Sequence, residues 1–263
     1  MAPHTSSMQS IPTSAAPGAH DSGGIRLVGF DADDTLWRSQ DYFDAAQREF
    51  EQLIGQYVDL HDHRARQHLF EVEKRNIKVF GYGVKGMVLS MIEAAVAITG
   101  ERITARDVHR IVEIGKGLLQ HPVELLPGIG DAVEAIAAEH DVVLITKGDL
   151  FHQEAKVRQC GFAQLFRRIE IVSEKDPATY ARLLHEFDVP AAAFVMIGNS
   201  LRSDIAPVLA LGAWAIHVPY HTTWAHENDA DVAADSPRLC RVDEAGALPA
   251  AVRAIAAQAQ ALG

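Results

Sequence analysis

Short apolar runs alternate with helical patterns along most of this chain, and the alternation limits the possible folds more than any other feature. Five runs rich in Val, Ile, Leu or Phe are bounded by polar residues or Gly, at 27–30, 141–146, 168–172, 192–198 and 213–218. Continuous apolar runs indicate strands that are covered on both faces. The sequence therefore predicts an α/β fold, a Rossmann-like parallel sheet with helices on both faces.

Residues 39–122 interrupt this alternation. Several segments there have helical patterns with no strand between them, and residues 41–57 place their large apolar side chains on one helical face. We therefore expect an inserted α-helical domain at 39–122, and an α/β core formed by 25–38 together with 123–263.

The first 24 residues are rich in Ser, Pro, Gly and Ala, and we expect them to form a disordered tail. They have neither the basic start nor the apolar centre of a signal peptide, and no apolar run in the chain is long enough to span a bilayer. Two cysteines, Cys160 and Cys240, lack metal-binding spacing, which favours a cytoplasmic location.

The formal net charge of −11 argues against nucleic acid as a partner, because phosphate backbones are bound by clustered Lys and Arg. A small anionic substrate stays compatible with this charge, since the local charge of a site can oppose the overall charge. We expect a monomer or homodimer that acts on a small molecule and binds no membrane.

Polar residues follow the predicted strands at the points where they end. Because the carboxyl ends of parallel strands meet at one edge of a sheet, we expect these side chains to lie close together. The residues concerned are Asp31, Asp33, Asp34, Thr146, Lys147, Gly148, Lys175, Asn199 and Asp204.

Three acids after the first strand, Asp31, Asp33 and Asp34, repel one another and need a cation to compensate. Carboxylate and amide oxygens suit Mg²⁺. A carboxylate beside Mg²⁺ and a lysine can attack phosphorus and form an aspartyl-phosphate. A second carboxyl two residues on can protonate the leaving oxygen and later activate water.

The segment FDADDTLW at 30–37 resembles the first motif, D-x-D-x-T, of the haloacid dehalogenase (HAD) superfamily. The next three strand ends resemble its second, third and fourth motifs in order, and the resemblance extends from residue 25 to about 220. It implies a HAD-like core of the phosphatase branch, with an inserted α-helical cap of the C1 type that closes over the substrate.

The resemblance also implies a role for each matching position. Asp31 corresponds to the nucleophile and a metal ligand. Asp33 corresponds to the general acid/base, with its backbone carbonyl on the metal. Lys175 corresponds to the cation that neutralises the nucleophile and the phosphoryl group.

Thr146, Lys147 and Gly148 correspond to the phosphate-binding segment, although Lys147 stands where a neutral residue is more usual and either faces the substrate or points away. Asn199 and Asp204 correspond to the residues that complete or support the Mg²⁺ site. Asn199 replaces an acid that is common there, so the sequence leaves open which of the two contacts the metal.

The resemblance therefore predicts a Mg²⁺-dependent phosphatase for a small phosphorylated metabolite. A 2-haloacid dehalogenase is the enzymatic alternative, and a non-catalytic phospho-acceptor or binding member of the superfamily is the other. For Asp34 a capping role and a site role are equally compatible with the sequence. Lys85, in a Gly-flanked loop of the insertion, is either a solvated lysine or a contact to a substrate anion.

Overall fold

The fold is described from a computed structural model that covers residues 24–59, 64–224, 227, 232–233 and 235–262. The predicted disordered tail, residues 1–24, lies outside the described residues except for Gly24.

One parallel sheet forms the centre of the molecule, as the alternation predicts. Among the described residues it has six strands in the order β3-β2-β1-β4-β5-β6, and every neighbouring pair is parallel. The strands are β1 (Leu27–Phe30), β2 (Asp141–Lys147), β3 (Arg168–Val172), β4 (Phe194–Gly198), β5 (Trp214–His217) and β6 (Leu239–Arg241). Five of them coincide with the five apolar runs, and β6 adds an unpredicted outer strand.

Four helices lie between β1 and the rest of the sheet, and we call them the cap. They are α1 (Gln40–Ile54), α2 (Arg64–Phe80), α3 (Val84–Ile98) and α4 (Ala105–Leu119). Their apolar faces pack on one another in two clusters, one around Phe50, Val72 and Met91 and the other around Val84 and Ile114. The cap therefore buries apolar side chains of its own.

The chain leaves and re-enters the core at one place. The backbone N–H of Arg38 donates to the carbonyl of Glu124 at 2.9 Å, and that of Leu126 donates to the carbonyl of Leu36 at 2.9 Å. The buried Trp37 lies between these two bonds. The two connections to the cap therefore run side by side, which places the cap beside the carboxyl end of β1.

The remaining helices cover both faces of the sheet. They are α5 (Ile129–Ala137), α6 (Leu150–Gln159), α7 (Pro177–Phe187), α8 (Ala206–Ala210) and α9 (Leu248–Leu262). Alternate residues of each central strand enter different apolar clusters: Val28 joins the cluster that contains α5 and α9, while Leu27 joins the cluster that contains α7 and α8. This alternation explains why the strand sequences are apolar without interruption.

Candidate active site

We call the carboxyl ends of β1, β2, β3 and β4 together the carboxyl edge. The centre of the site is a lysine that lies between two carboxylates at this edge. The Nζ atom of Lys175 lies 2.5 Å from Oδ1 of Asp31 and 2.7 Å from Oδ1 of Asp204. Burial lowers the pKa of Lys175, but Asp204 and Asp31 raise it by more, so the lysine stays protonated. This ion triad joins three segments that are far apart in sequence.

Asp31 remains short of positive charge in spite of Lys175. Burial, followed by the charge of Asp204, raises the pKa of Asp31 to about 7, while Lys175 acts in the opposite direction. A further cation at this place would favour the ionised form of the carboxyl.

Asp33 has the opposite environment. Its Oδ1 accepts hydrogen bonds from Nζ of Lys156 at 2.5 Å and from Nε1 of Trp37 at 2.6 Å, and its Oδ2 accepts one from Nε2 of Gln153 at 3.0 Å. Burial acts to raise the pKa of Asp33, but the charge of Lys156 and the three hydrogen bonds lower it below its ordinary value. The pKa values of two carboxyl groups two residues apart are thus shifted in opposite directions.

Thr35 connects the ends of β1 and β4. Its Oγ1 lies 3.1 Å from Oδ2 of Asp31 and 3.3 Å from Oδ1 of Asn199, and it accepts a hydrogen bond from the backbone N–H of Asn199 at 3.1 Å. A carboxylate oxygen and an amide oxygen are thereby brought to one point of the carboxyl edge.

The oxygen atoms of Asp31 and Asn199 suit a hard metal cation that takes few protein ligands. Among the described residues, no three His, Cys, Asp or Glu side chains surround one point. Mg²⁺ is commonly held by one or two carboxylates and completes its shell with water and phosphate oxygens. The carboxylate of Asp31, the amide oxygen of Asn199 and the backbone carbonyl of Asp33 are all oxygen donors of the required kind.

Asp204 is placed differently from Asn199. It is 1% exposed, its Oδ1 is bound to Lys175, and its Oδ2 accepts the backbone N–H of Ser200 at 3.0 Å. A Cβ atom at position 198 would lie 2.3 Å from Oδ2 of Asp204, so Gly198 gives the space for this close approach. Asp204 therefore contacts Lys175 with Oδ1 and the backbone of Ser200 with Oδ2, so both carboxylate oxygens already accept hydrogen bonds.

The end of β2 supplies the predicted phosphate-binding segment. The buried hydroxyl of Thr146 accepts a hydrogen bond from Nε2 of Gln153 at 3.0 Å. Gly148 has a φ of +139°, a value that residues with a Cβ atom rarely adopt. The Nζ atom of Lys147 lies 2.5 Å from Oε1 of Glu227 and 2.8 Å from Oγ of Ser203.

The cap contacts the carboxyl edge through polar side chains. The hydroxyl of Tyr82 donates to Oε2 of Glu174 at 2.6 Å, and Nζ of Lys147 lies 4.3 Å from the centre of the Tyr82 ring. Lys85 forms an ion pair with Asp149 at 2.9 Å and remains about half exposed. Lys85 thus links the cap to the core.

A cavity of about 180 Å³ lies between the carboxyl edge and the cap. All eight residues predicted for catalysis, phosphate binding or metal binding line it, and so the structure brings them together: Asp31, Asp33, Thr146, Lys147, Gly148, Lys175, Asn199 and Asp204. On the cap side the cavity is lined by Phe43, Glu73, Ile77, Met87 and Ser90, among others.

Gln153 and Lys156 are site residues that sequence reasoning missed. They lie three positions apart on α6, which starts directly after the end of β2, and both are buried. The signal that could have identified them is a pair of polar residues three positions apart on a helix that begins at a strand end. Asp34, by contrast, accepts the backbone N–H groups of Ser39 and Gln40 and caps the start of α1.

Comparison with known proteins assigns the chain to a family. Residues 25–212, most of the chain, match the haloacid dehalogenase-like hydrolases. The protein belongs to this family and is therefore a hydrolase, as the motifs at the strand ends predict. The search of curated proteins found no match.

Solved structures share the fold. A haloacid dehalogenase-like family hydrolase from Xanthomonas campestris is 59% identical, with a TM-score of 0.83 and coverage of 90% of this chain and 98% of that chain. A 2-haloacid dehalogenase from Pseudomonas syringae is 23% identical (TM-score 0.56; coverage 88% and 98%). A predicted phosphoglycolate phosphatase from Haemophilus somnus is 15% identical (TM-score 0.56; coverage 85% and 96%).

The names of the two distant structures refer to different reactions, one at carbon and one at phosphorus. Their likeness to this chain concerns the fold alone. The choice of reaction therefore depends on the site residues themselves. Within the described part of the chain, no helix combines the length and the apolar character needed to cross a membrane.

Proposed function

We propose that this hydrolase is a Mg²⁺-dependent phosphatase that cleaves a small phosphomonoester through an aspartyl-phosphate on Asp31. The observation that carries the proposal is the placement of Asp33. A second carboxyl lines the cavity next to the nucleophile and is fixed there by Lys156, Trp37 and Gln153. Breaking a phosphate ester produces an alkoxide that needs a proton, and Asp33 is the group that can supply it.

In the first step the carboxylate of Asp31 attacks phosphorus, and the bond between phosphorus and the ester oxygen breaks. Asp33 gives its proton to that oxygen, so the alcohol leaves neutral. The negative charge of a phosphoryl group beside Asp33 raises the pKa of this carboxyl against the effect of Lys156, which favours the protonated acid. Lys175, in contact with Asp31, neutralises charge as the new bond forms.

In the second step a water molecule attacks phosphorus, and the bond between phosphorus and Asp31 breaks. Asp33 now accepts the proton of that water and returns to its starting state. The hydroxyl of Thr146 and the backbone at Gly148 bind phosphoryl oxygens in both steps. Mg²⁺, held by Asp31, Asn199 and the Asp33 carbonyl, would supply the positive charge that orients and neutralises these oxygens.

A 2-haloacid dehalogenase is the second candidate. The observation in its favour is the modest metal donor set, because Asn199 stands where a carboxylate would bind Mg²⁺ more strongly. That reaction uses the same nucleophile on carbon and releases a halide, which needs no proton. Asp33 and its three anchoring donors would then have no chemical role, and for this reason we prefer the phosphatase.

One set of assays tests the proposal. Phosphate release is measured from p-nitrophenyl phosphate, sugar phosphates, nucleotides and phosphoglycolate, with Mg²⁺ and after removal of metal with EDTA. We expect release that depends on Mg²⁺ and that is lost in Asp31→Asn. Asp131→Asn, which changes an exposed acid on α5, is the matched control and should behave as the unmodified protein.

Chloride release from 2-chloropropionate without Mg²⁺, together with no phosphate release from any ester, would overturn the proposal in favour of the dehalogenase. No release of either product would favour a binding member of the superfamily. Phosphate release that persists in Asp31→Asn would rule out the covalent mechanism.

A further inference from the structure

The turn between α2 and α3 brings a tyrosine of the cap to the carboxyl edge. Gly81 and Gly83 have φ values of +75° and +109°, in a region that favours glycine. A Cβ atom at position 83 would lie 2.9 Å from the backbone nitrogen of Asp149, so the cap backbone closely approaches the start of α6. Tyr82 stands between the two glycines and therefore lies against the core.

Three core residues surround the side chain of Tyr82, and we call them the Tyr82 socket: Lys147, Glu174 and Trp224. Glu174 accepts the phenol hydroxyl at 2.6 Å, the ammonium of Lys147 lies 4.3 Å from the ring centre, and the ring of Trp224 packs edge to face with a centre-to-centre distance of 5.8 Å. The socket residues lie at or after the ends of β2, β3 and β5. One cap side chain thus contacts three separate parts of the core.

Lys147 connects the socket to the rest of the carboxyl edge. An ammonium group has three N–H donors. The Nζ atom of Lys147 has three oxygen acceptors, which are Oε1 of Glu227 at 2.5 Å, Oγ of Ser203 at 2.8 Å and Oε1 of Glu174 at 3.4 Å. A phosphoryl oxygen would have to displace one of these acceptors in order to bind Lys147. The ammonium group is therefore placed to hold parts of the protein together.

Glu227 fixes the position of Lys147. Its Oε2 accepts hydrogen bonds from the hydroxyl groups of Ser200 and Ser203, both at 2.5 Å, and its side chain is only 10% exposed. Burial acts to raise the pKa of Glu227, but the charge of Lys147 and the hydrogen bonds lower it below its ordinary value. Glu227 and Lys147 thus form a largely buried ion pair that lines the cavity.

Glu174 connects the socket to the lysine at the centre of the site. Its Oε1 also accepts the backbone N–H of Lys175 at 3.0 Å, and the side chain of Lys175 contacts Asp31. The carboxylate that receives the hydroxyl of Tyr82 is therefore bonded to the chain segment that carries Lys175. The contact with the cap and the placement of Lys175 involve the same side chain.

We propose that Lys147 is a positioning residue: paired with Glu227, it holds together the socket that receives Tyr82 and so keeps the cap on the carboxyl edge over the bound substrate. This inference rests on the proposed phosphatase function and specifies a residue that completes its site. The alternative is the role that the family resemblance implies, in which Lys147 binds the substrate phosphate. The two roles predict opposite effects of removing the charge of Glu227.

Fluorescence quenching tests the socket without turnover. Of the three tryptophans, Trp37 and Trp214 are buried and Trp224 is partly exposed, so acrylamide quenching of tryptophan emission reports mainly on Trp224. We expect Lys147→Met and Glu227→Gln each to raise the quenching constant by about 1.5-fold or more, because a loosened socket exposes Trp224.

Steady-state kinetics with an alkyl phosphate and Mg²⁺ distinguish the two roles of the lysine. A positioning role predicts that Lys147→Met and Glu227→Gln each raise the KM about tenfold and change kcat by less than about threefold. In the double variant the KM should stay within about twofold of that of the more affected single variant, because both changes break the same ion pair. A lysine that binds phosphate would instead be freed by Glu227→Gln, which would lower the KM.

Lys78→Met, which changes an exposed lysine of α2, is the matched control and should leave both the quenching constant and the KM unchanged. Glu227→Gln keeps the size of the side chain and removes its charge, so it tests the inference even where Lys147→Met fails to fold.

The inference is overturned if Glu227→Gln lowers the KM, if both variants keep the KM of the unmodified protein, or if neither variant changes the quenching constant. Phosphate release separates this result from the fate of the proposed function. Stronger quenching in both variants, with no phosphate release from any ester, would support the inference about the socket and contradict the phosphatase. Phosphate release with unchanged quenching would do the reverse.

Discussion

The carboxyl edge and the cap face the same cavity but contribute to it in different ways. At the edge nearly every polar group has a partner within hydrogen-bond distance, as Lys175 does with Asp31 and Asp204. The cap side combines the apolar side chains of Phe43, Ile77 and Met87 with uncharged polar ones, and it includes one carboxyl, that of Glu73, among its described lining residues. The edge therefore holds charges in fixed positions, whereas the described cap lining contributes one carboxyl and otherwise uncharged side chains.

A second contrast lies within the edge itself. Asp31 is buried near Asp204 and has its pKa raised to about 7, whereas Asp33 is held by Lys156 and has its pKa lowered. Two acids that look alike in the sequence FDADDTLW are thus separated by their tertiary surroundings. These shifts run against the roles proposed for the two acids, and a cation beside Asp31 together with a phosphoryl group beside Asp33 would shift both pKa values in the opposite direction.

The largest expected effect comes from the lysine at the centre of the edge. Lys175→Met leaves Asp31 and Asp204 buried without a cation between them, so we expect the free energy of unfolding to fall by about 3–5 kcal/mol. Phosphate release should fall by at least about 10³-fold, because the charge that opposes the phosphoryl group is lost. Urea unfolding and a phosphate assay measure the two effects.

Lys116→Met is the matched control, since Lys116 lies on the exposed surface of α4, where its Nζ pairs with Glu113. It should change the free energy of unfolding by less than about 1 kcal/mol. An equally small effect of Lys175→Met on stability would show that the buried ion triad is not what joins β1, β3 and β4.

The second effect sharpens the contrast between the two acids. Asp33→Asn should slow the release of phosphate from an alkyl phosphate by about 10²–10⁴-fold, because no acid then protonates the alkoxide. With p-nitrophenyl phosphate, whose leaving group is stable as an anion, the loss in the first step should be much smaller. Burst kinetics with the two esters separate that step from the later attack of water. Equal losses in the first step for both esters would remove the acid role of Asp33.

The third prediction concerns the hydrogen bond between Tyr82 of the cap and Glu174 of the carboxyl edge. Tyr82→Phe removes the hydroxyl that binds Glu174 but keeps the ring near Lys147 and Trp224. Because this bond holds the cap against the carboxyl edge, its loss should raise the KM for a small ester by up to about tenfold, while kcat changes less. Tyr57→Phe is a matched control, because Tyr57 donates to Asp107 within the cap. A KM equal to that of the unmodified protein would show that cap and edge are held by other contacts.

The burial of a strand explains whether the sequence alone could predict it. The strand Asp141–Lys147 is buried on both faces along most of its length, so its apolar run predicts it without any knowledge of the residues that pack on it. The three-residue strand Leu239–Arg241 lies at the outside of the sheet, is only partly buried, and leaves no such run. The residues of the edge could be predicted because each lies at or just after the end of a strand, and parallel strands bring their ends together.

The partners of those residues were harder to predict because they depend on packing. Gln153 and Lys156 reach Asp33 across 120 and 123 positions, and Tyr82 reaches Glu174 across 92. No local pattern fixes which side chains meet over such separations. For the same reason the environments that shift the pKa values of Asp31 and Asp33 apart cannot be derived from the spacing of the two acids.

The smallest expected effect tests the cap side alone. The folded protein favours the protonated form of Glu73, whose pKa is raised from 4.5 to about 7. The stability associated with this carboxyl is therefore fully present below about pH 4.5 and is lost as the pH rises through 7. The side chain of Glu73→Gln cannot ionise. As the pH rises from 5 to 8, its free energy of unfolding should therefore increase by about 1–2 kcal/mol relative to that of the unmodified protein. This is less than the full pKa shift corresponds to, because Glu73 is only partly buried.

Urea unfolding at several pH values measures this difference, with Glu71→Gln as the control for the loss of one surface charge on the same helix. The control should follow the unmodified protein across the range. If Glu73→Gln also follows it, ionisation of Glu73 carries no penalty in the folded state. The surroundings of Glu73 would then solvate a charge as well as an open surface does. The cap side of the cavity would not differ from the carboxyl edge in the way proposed above.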